Sequence, residues 1–80
     1  MTREEVYERL NPVFQDVFDE DELTVTDATT AKDVDGWDSL EHINLINAIE
    51  QEFGIKFSMG QGVAMKNVGE MVDIILQQAK

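Results

Sequence analysis

Apolar residues recur three and four positions apart in three separated stretches of the chain, and each stretch predicts an amphipathic helix. In the first, Val6, Leu10, Val13, Phe14, Val17 and Phe18 keep this spacing, and Thr2 with Glu5 forms a capping box. A helix is therefore expected over about residues 3–18. Pro12 lies inside it, where it removes a backbone hydrogen bond and crowds the preceding turn at a cost of about 3 kcal/mol. The spacing persists across Pro12, which favours a kink near Glu8–Leu10 over a break with Asn11 as a second N-cap. The second helix reads as residues 38–53, with Asp38 and Glu41 as a capping box, Ser39 at the first helical position and Gly54 as the stop. At about 100° per residue, Ile43, Leu45, Ile46, Ile49 and Phe53 form a broad buried arc that Leu40 and Ala48 lie outside. His42 shares that arc and is expected to be a core or half-buried histidine. Leu40, Asn44, Asn47 and Gln51 share another, exposed side. Asn67 with Glu70 caps the third helix, along which Val68, Met71, Val72, Ile75, Leu76 and Ala79 recur at helical spacing.

Between the first two helices, residues 19–35 have no sustained period. They predict a long polar loop pinned by Leu23, Val25 and Val34, with one helical turn capped by Thr29 or Thr30. Trp37 is expected to seal this loop against the helices. Ile55 and Phe57 continue the core past Gly54, and Ser58 with Gln61 caps a short helix over about residues 59–66. Gly60 and Gly62, each costing about 1 kcal/mol of helix propensity, keep that element short. No repeat, low-complexity segment or second domain is apparent. The expected fold is all-α: one domain over residues 1–80, a small bundle of three main helices plus one short helix, with a long loop between helices 1 and 2. Counting the short helix makes it a four-helix bundle.

Composition narrows the function. A chain of 80 residues buries only about 60–65% of its unfolded surface, so the core supplies no more than roughly 3–5 kcal/mol. There is no cysteine, so any working thiol must come from a cofactor. No basic-plus-apolar leader is present and the apolar runs are too short to span a bilayer, so the expected location is cytoplasmic, away from membranes. The formal charge is −11, and residues 1–54 carry all but two of the 17 acids. Such a balance repels nucleic acid and anionic lipid and favours basic protein surfaces. Crowding of this kind is expected to raise carboxylate pKa values. A calcium loop starting at Asp33 would place Trp37 at its fifth position, Asp38 where glycine is required and Asn44 at its twelfth, so no metal site is expected. No catalytic partner arrangement accompanies His42, which argues against an enzyme.

The candidate chemistry lies at Asp38-Ser39-Leu40. An N-capping acid places the Ser39 hydroxyl on the first turn, beside unpaired N–H groups and the positive end of the helix dipole, where a phosphate ester is favoured. Ordinary first-turn serines share that position. Within a short acidic chain of this element order, however, the motif resembles the prosthetic-group attachment motif of the acyl carrier proteins. The resemblance spans essentially the whole chain: a first helix, a long loop, Asp-Ser-Leu opening a helix that ends in Glu52-Phe53-Gly54-Ile55, and a closing amphipathic helix. It implies that a phosphopantetheinyl transferase, recognising Asp38, moves 4'-phosphopantetheine from coenzyme A onto Ser39. Acyl groups then ride on the arm's thiol as thioesters. It also implies a monomer whose acyl-loading and acyl-processing partners present basic surfaces to Leu40, Glu41, Asn44 and Asn47. An interior lined by Ile43, Ile46, Ile49, Ile55 and Met65 would shelter a short chain.

Two departures from the family pattern bear on pathway. Housekeeping fatty-acid carriers usually place a glutamate where this chain has Asn44 and an apolar residue where it has Asn47. Their short third helix is usually acidic, whereas residues 60–66 contain no acid. Both point to a specialised fatty acid, polyketide or surface-glycan pathway. A peptidyl or aminoacyl carrier is the alternative within the carrier class, and a non-carrier acidic helical adaptor for a basic partner is the alternative outside it.

Overall fold

The computed structural model describes residues 1–58, 60–61 and 65–79, and among these it contains three α-helices, a single 3-10 turn and no strand. Helix α1 spans Arg3–Phe18, α2 Ser39–Phe53 and α3 Val68–Gln78. The fourth helix of the expected bundle is not among them. Half of the short helix expected over 59–66 lies outside the described residues, and residues 60–61 are helical. Also described is the pair of Ser58 and Gln61, whose side chains accept from one another's backbone N–H at 3.0 and 3.1 Å.

Local chemistry sets the helix ends. Thr2 and Glu5 exchange the two bonds of a capping box at the start of α1. The helix runs unbroken through Pro12, so Asn11 caps nothing. Its amide instead donates to the Tyr7 carbonyl and accepts from the Val25 N–H at 2.7 Å, while Gln15 donates to the Leu23 carbonyl. Two polar side chains on α1 thus fasten the start of the long loop. Gly54, at φ +66°, ends α2 in the left-handed conformation that a side chain would disfavour.

Helix α1 is the central element, with α2 and α3 both packed on it. Val6, Leu10, Val13 and Phe14 of α1 meet Leu45, Ile49 and Phe53 of α2 and Val68, Met71, Val72 and Ile75 of α3 in one core, which Val25 and Ile55 complete. The loop follows the expected plan. Val25 and Val34 are buried, Leu23 is half-buried, and the turn at Ala31–Asp33 begins after Thr30, whose N–H and hydroxyl both bond the Asp33 carboxylate. The carbonyls of Thr29 and Asp27 accept from the N–H groups of Val68 and Gly69, satisfying donors at the start of α3 that have no partner within the helix.

The buried arc expected of α2 is only partly observed. Ile43 is 58% exposed, and the buried stripe is Leu45, Ile49 and Phe53 with His42, Ile46 and Ala48 at its edges. At about 100° per residue, Ile43 turns toward the side of Ser39 and away from Leu45. Helix α1 covers only one side of α2, so the rest of the apolar arc remains open.

Candidate functional site

The site is built where the loop turns into α2. Gly36, at φ +85°, sits in a tight turn closed by a bond from the Trp37 N–H to the Val34 carbonyl at 3.3 Å. A residue with a side chain would be strained there. The turn sends Trp37 inward against Phe14, edge-on at 5.5 Å, and against Phe18 at 5.8 Å. The loop is thereby sealed against α1 as expected.

Asp38 caps α2. Its carboxylate accepts from the Glu41 N–H at 2.9 Å and its carbonyl from the His42 N–H at 2.9 Å. The reciprocal half of the expected capping box is missing. The Asp38 N–H goes to the Gly36 carbonyl, and the Glu41 carboxylate accepts from the Asn44 amide at 3.3 Å. The tight turn uses the donor that Glu41 would have needed.

Ser39 is the first residue of α2 and is exposed, and no hydrogen bond among the described residues engages its hydroxyl. Around it, Leu40 is 66% exposed, and Asn44 and Asn47 are exposed on the outer side of the helix with Ile43. Glu41 is half-buried. On this outer side of α2 the serine is flanked by apolar Leu40 and Ile43 and the uncharged Asn44 and Asn47, with the Asp38 and Glu41 carboxylates beside it.

An open groove of about 500 Å³ begins at Ser39 and is lined by Asp38, Ala31, Trp37, His42, Ile43 and Met65. Behind it lies a smaller cavity of about 80 Å³ that shares Ala31, Trp37, His42 and Met65 and extends to Lys66, Asn67 and Met71. Of the lining expected from sequence, Met65 and the rim residue Ile43 are present. Ile49 and Ile55 belong to the packed core and Ile46 packs against it. Trp37, Ala31 and Met71 were not assigned to this lining by their pattern, because a residue that flanks a cavity has the same spacing as one that fills a core. Among the described residues no group of three or more His, Cys, Asp and Glu side chains could hold a metal ion, and no helix is long and apolar enough to cross a membrane.

These features fit a flexible phosphate-linked arm: an accessible primary hydroxyl, a helix N-terminus beside it, and a groove leading away from it. Comparison with known proteins bears directly on this. The family model described as "Phosphopantetheine attachment site" matches residues 8–75. The chain belongs to this family of carriers. The acyl carrier protein of Petrotoga mobilis is 34% identical over 80 residues, covering 98% of this chain and 92% of its own. That of Thermosynechococcus vestitus is 32% identical, with 94% and 93% covered. The solution structure of holo acyl carrier protein from Geobacter metallireducens superposes with a TM-score of 0.85 at 41% identity, covering 91% of this chain and 84% of that one. As an acyl carrier the protein is not an enzyme, and its cofactor is phosphopantetheine.

Proposed function

We propose that Ser39 is the attachment residue for 4'-phosphopantetheine and that the chain presents acyl thioesters to partner enzymes of a specialised fatty acid, polyketide or surface-glycan pathway. One observation carries this reading: the Ser39 hydroxyl is exposed at the first position of α2, behind the Asp38 cap and at the head of the groove. The arm, once bound, supplies the thiol that this cysteine-free chain lacks. The chain's own residues do the rest. Asp38 holds the helix start rigid and offers a carboxylate for recognition by a phosphopantetheinyl transferase. The positive end of α2 favours the phosphate. Trp37, His42, Ile43 and Met65 give the arm and its cargo a largely apolar track.

Leu40, Glu41, Asn44 and Asn47 form the proposed docking surface for loading and processing enzymes. The pathway assignment rests on its dilution of charge, since Asn44 and Asn47 offer neither a carboxylate nor an apolar contact. The protein acts as a cytoplasmic monomer. Intact mass after incubation with coenzyme A and a broad-specificity transferase is expected to rise by one phosphopantetheinyl group. Ser39→Ala should abolish that rise while leaving the helical circular dichroism unchanged. Modification of the alanine variant would place the arm elsewhere.

A further inference from the structure

Trp37 and His42 are the chain's single tryptophan and single histidine, and the fold joins them. The indole Nε1–H donates to His42 Nδ1 at 3.0 Å. The ring planes lie within 16° of one another with centroids 6.0 Å apart, so the in-plane lone pair of the imidazole meets the indole N–H. An indole nitrogen only donates, and an imidazolium carries protons on both nitrogens. The bond therefore exists only while Nδ1 is unprotonated.

The same two rings line both spaces of the site: the outer groove that starts at Ser39 and the inner cavity that ends at Met71. Their remaining aromatic neighbours, Phe14 and Phe18, hold the indole by ring contacts that do not direct its N–H. The His42 bond is what aims it.

We propose that His42 is a positioning residue for the tethered cargo: by accepting the Trp37 hydrogen bond it holds the indole as the wall between groove and cavity, and loss of that bond opens the way to Met71. This rests on the reading of Ser39 as the attachment residue. Among the described residues, the ionisable groups on the same walls are Asp38 on the groove side and Lys66 on the cavity side, with Glu41 adjacent on α2. The groups facing the pair from α1 and α3 are the uncharged Phe14, Phe18 and Met71. Protonation at Nδ1 removes the acceptor, so the wall is closed when His42 accepts the indole bond and released when it does not.

The test compares wild type with His42→Gln, which keeps an acceptor that does not titrate, and His42→Leu, which has none. Isotope-labelled protein is examined by NMR near pH 8 and near pH 5.5, on either side of the range in which histidines change charge. In the unloaded protein the Trp37 indole N–H signal is expected to move with pH in wild type and to stay in place in His42→Gln. Octanoyl-phosphopantetheine is then attached from octanoyl-coenzyme A and verified by intact mass. Loading should shift the Met71 methyl signal of wild type only at the lower pH, that of His42→Gln at neither pH, and that of His42→Leu at both. Equal shifts at both pH values in wild type, or an indole signal indifferent to pH, would overturn the proposal. If His42→Leu does not fold, the wild-type and glutamine series decide alone. A missing mass gain would instead overturn the Ser39 reading, and the gate with it.

Discussion

Arg3 reaches further across the fold than its place at the chain's start implies. Its guanidinium bonds Asp73 at 2.7 Å, Asp27 at 2.9 Å and the Gly69 carbonyl at 3.2 Å, and the Tyr7 hydroxyl donates to the same Asp27. The bonds from Arg3 and then Tyr7 hold the Asp27 carboxyl below the ordinary carboxylate range, and those from Thr2 do the same for Glu5. Burial, followed by the Asp27 bond, pushes the Tyr7 hydroxyl up. Crowding of acids was expected to raise carboxylates. At these two residues donors in direct contact lower the carboxyl instead, against the opposing effect of burial. A carboxyl whose folded pKa is depressed contributes stability above its unfolded value and loses it as pH falls through the folded one. Asp27→Asn should therefore lower the melting temperature at neutral pH and flatten its decline below about pH 4. Because the pairs are well exposed, the effect should be modest. Parallel melting profiles for the two proteins from neutral to acid pH would contradict this.

At the scale of elements, α3 depends on the loop as much as on its own sequence. A Cβ placed on Gly69 would lie 2.9 Å from the backbone oxygen of Asp27, an atom with no freedom to move aside. Gly69→Ala gains about 1 kcal/mol of helix propensity but incurs roughly 1–3 kcal/mol of overpacking. The melting temperature should fall, and a rise would show that the loop yields easily. On α2, Asn44→Glu exchanges the Asn44–Glu41 bond for a like-charge pair one turn apart, at a cost of a few tenths of a kcal/mol. It also adds a carboxylate beside Leu40, worth about 0.2–1 kcal/mol to a basic partner and felt mainly in association rate. A fatty-acid-type transferase or synthase should use the variant faster than the wild type at low salt, with the gain shrinking as salt is added. Equal rates at low salt would move discrimination to another surface.

For the molecule as a whole, a formal charge of −11 is confined to a body of 31 × 25 × 22 Å. The described residues contain three ion pairs to offset it: Arg3 with Asp27 and Asp73, and Arg9 with Glu52. At 0.1 M salt the screening length is about 10 Å, shorter than the protein but longer than any of these pairs. Salt should therefore weaken repulsion across the molecule more than the local attractions, and the melting temperature should rise with sodium chloride. A flat or falling series would show that repulsion is not what limits this fold.

Much of this was decided within single turns of chain. The capping pairs at Thr2 and Glu5, Asp38 and Glu41, and Asn67 and Glu70, together with the stop at Gly54, act over three or four residues, so the three helices were legible from spacing alone. The exposed Ser39 behind its cap was legible for the same reason. The Asp38–Glu41 pair forms only half of its capping box because a neighbour competes: the Glu41 carboxylate accepts from the Asn44 amide. What needed the tertiary structure was every feature set by which side of a helix another element covers. Ile43 follows the apolar period yet stays exposed because α1 shields only the opposite side of α2. Asn11 and Gln15 look like ordinary helix residues until the loop is laid against them. Arg3 meets partners 24 and 70 residues away, and the Trp37 indole that bonds His42 is packed on Phe14 and Phe18 of α1. Periodicity reports which residues share a side; covering that side takes elements that other parts of the chain supply.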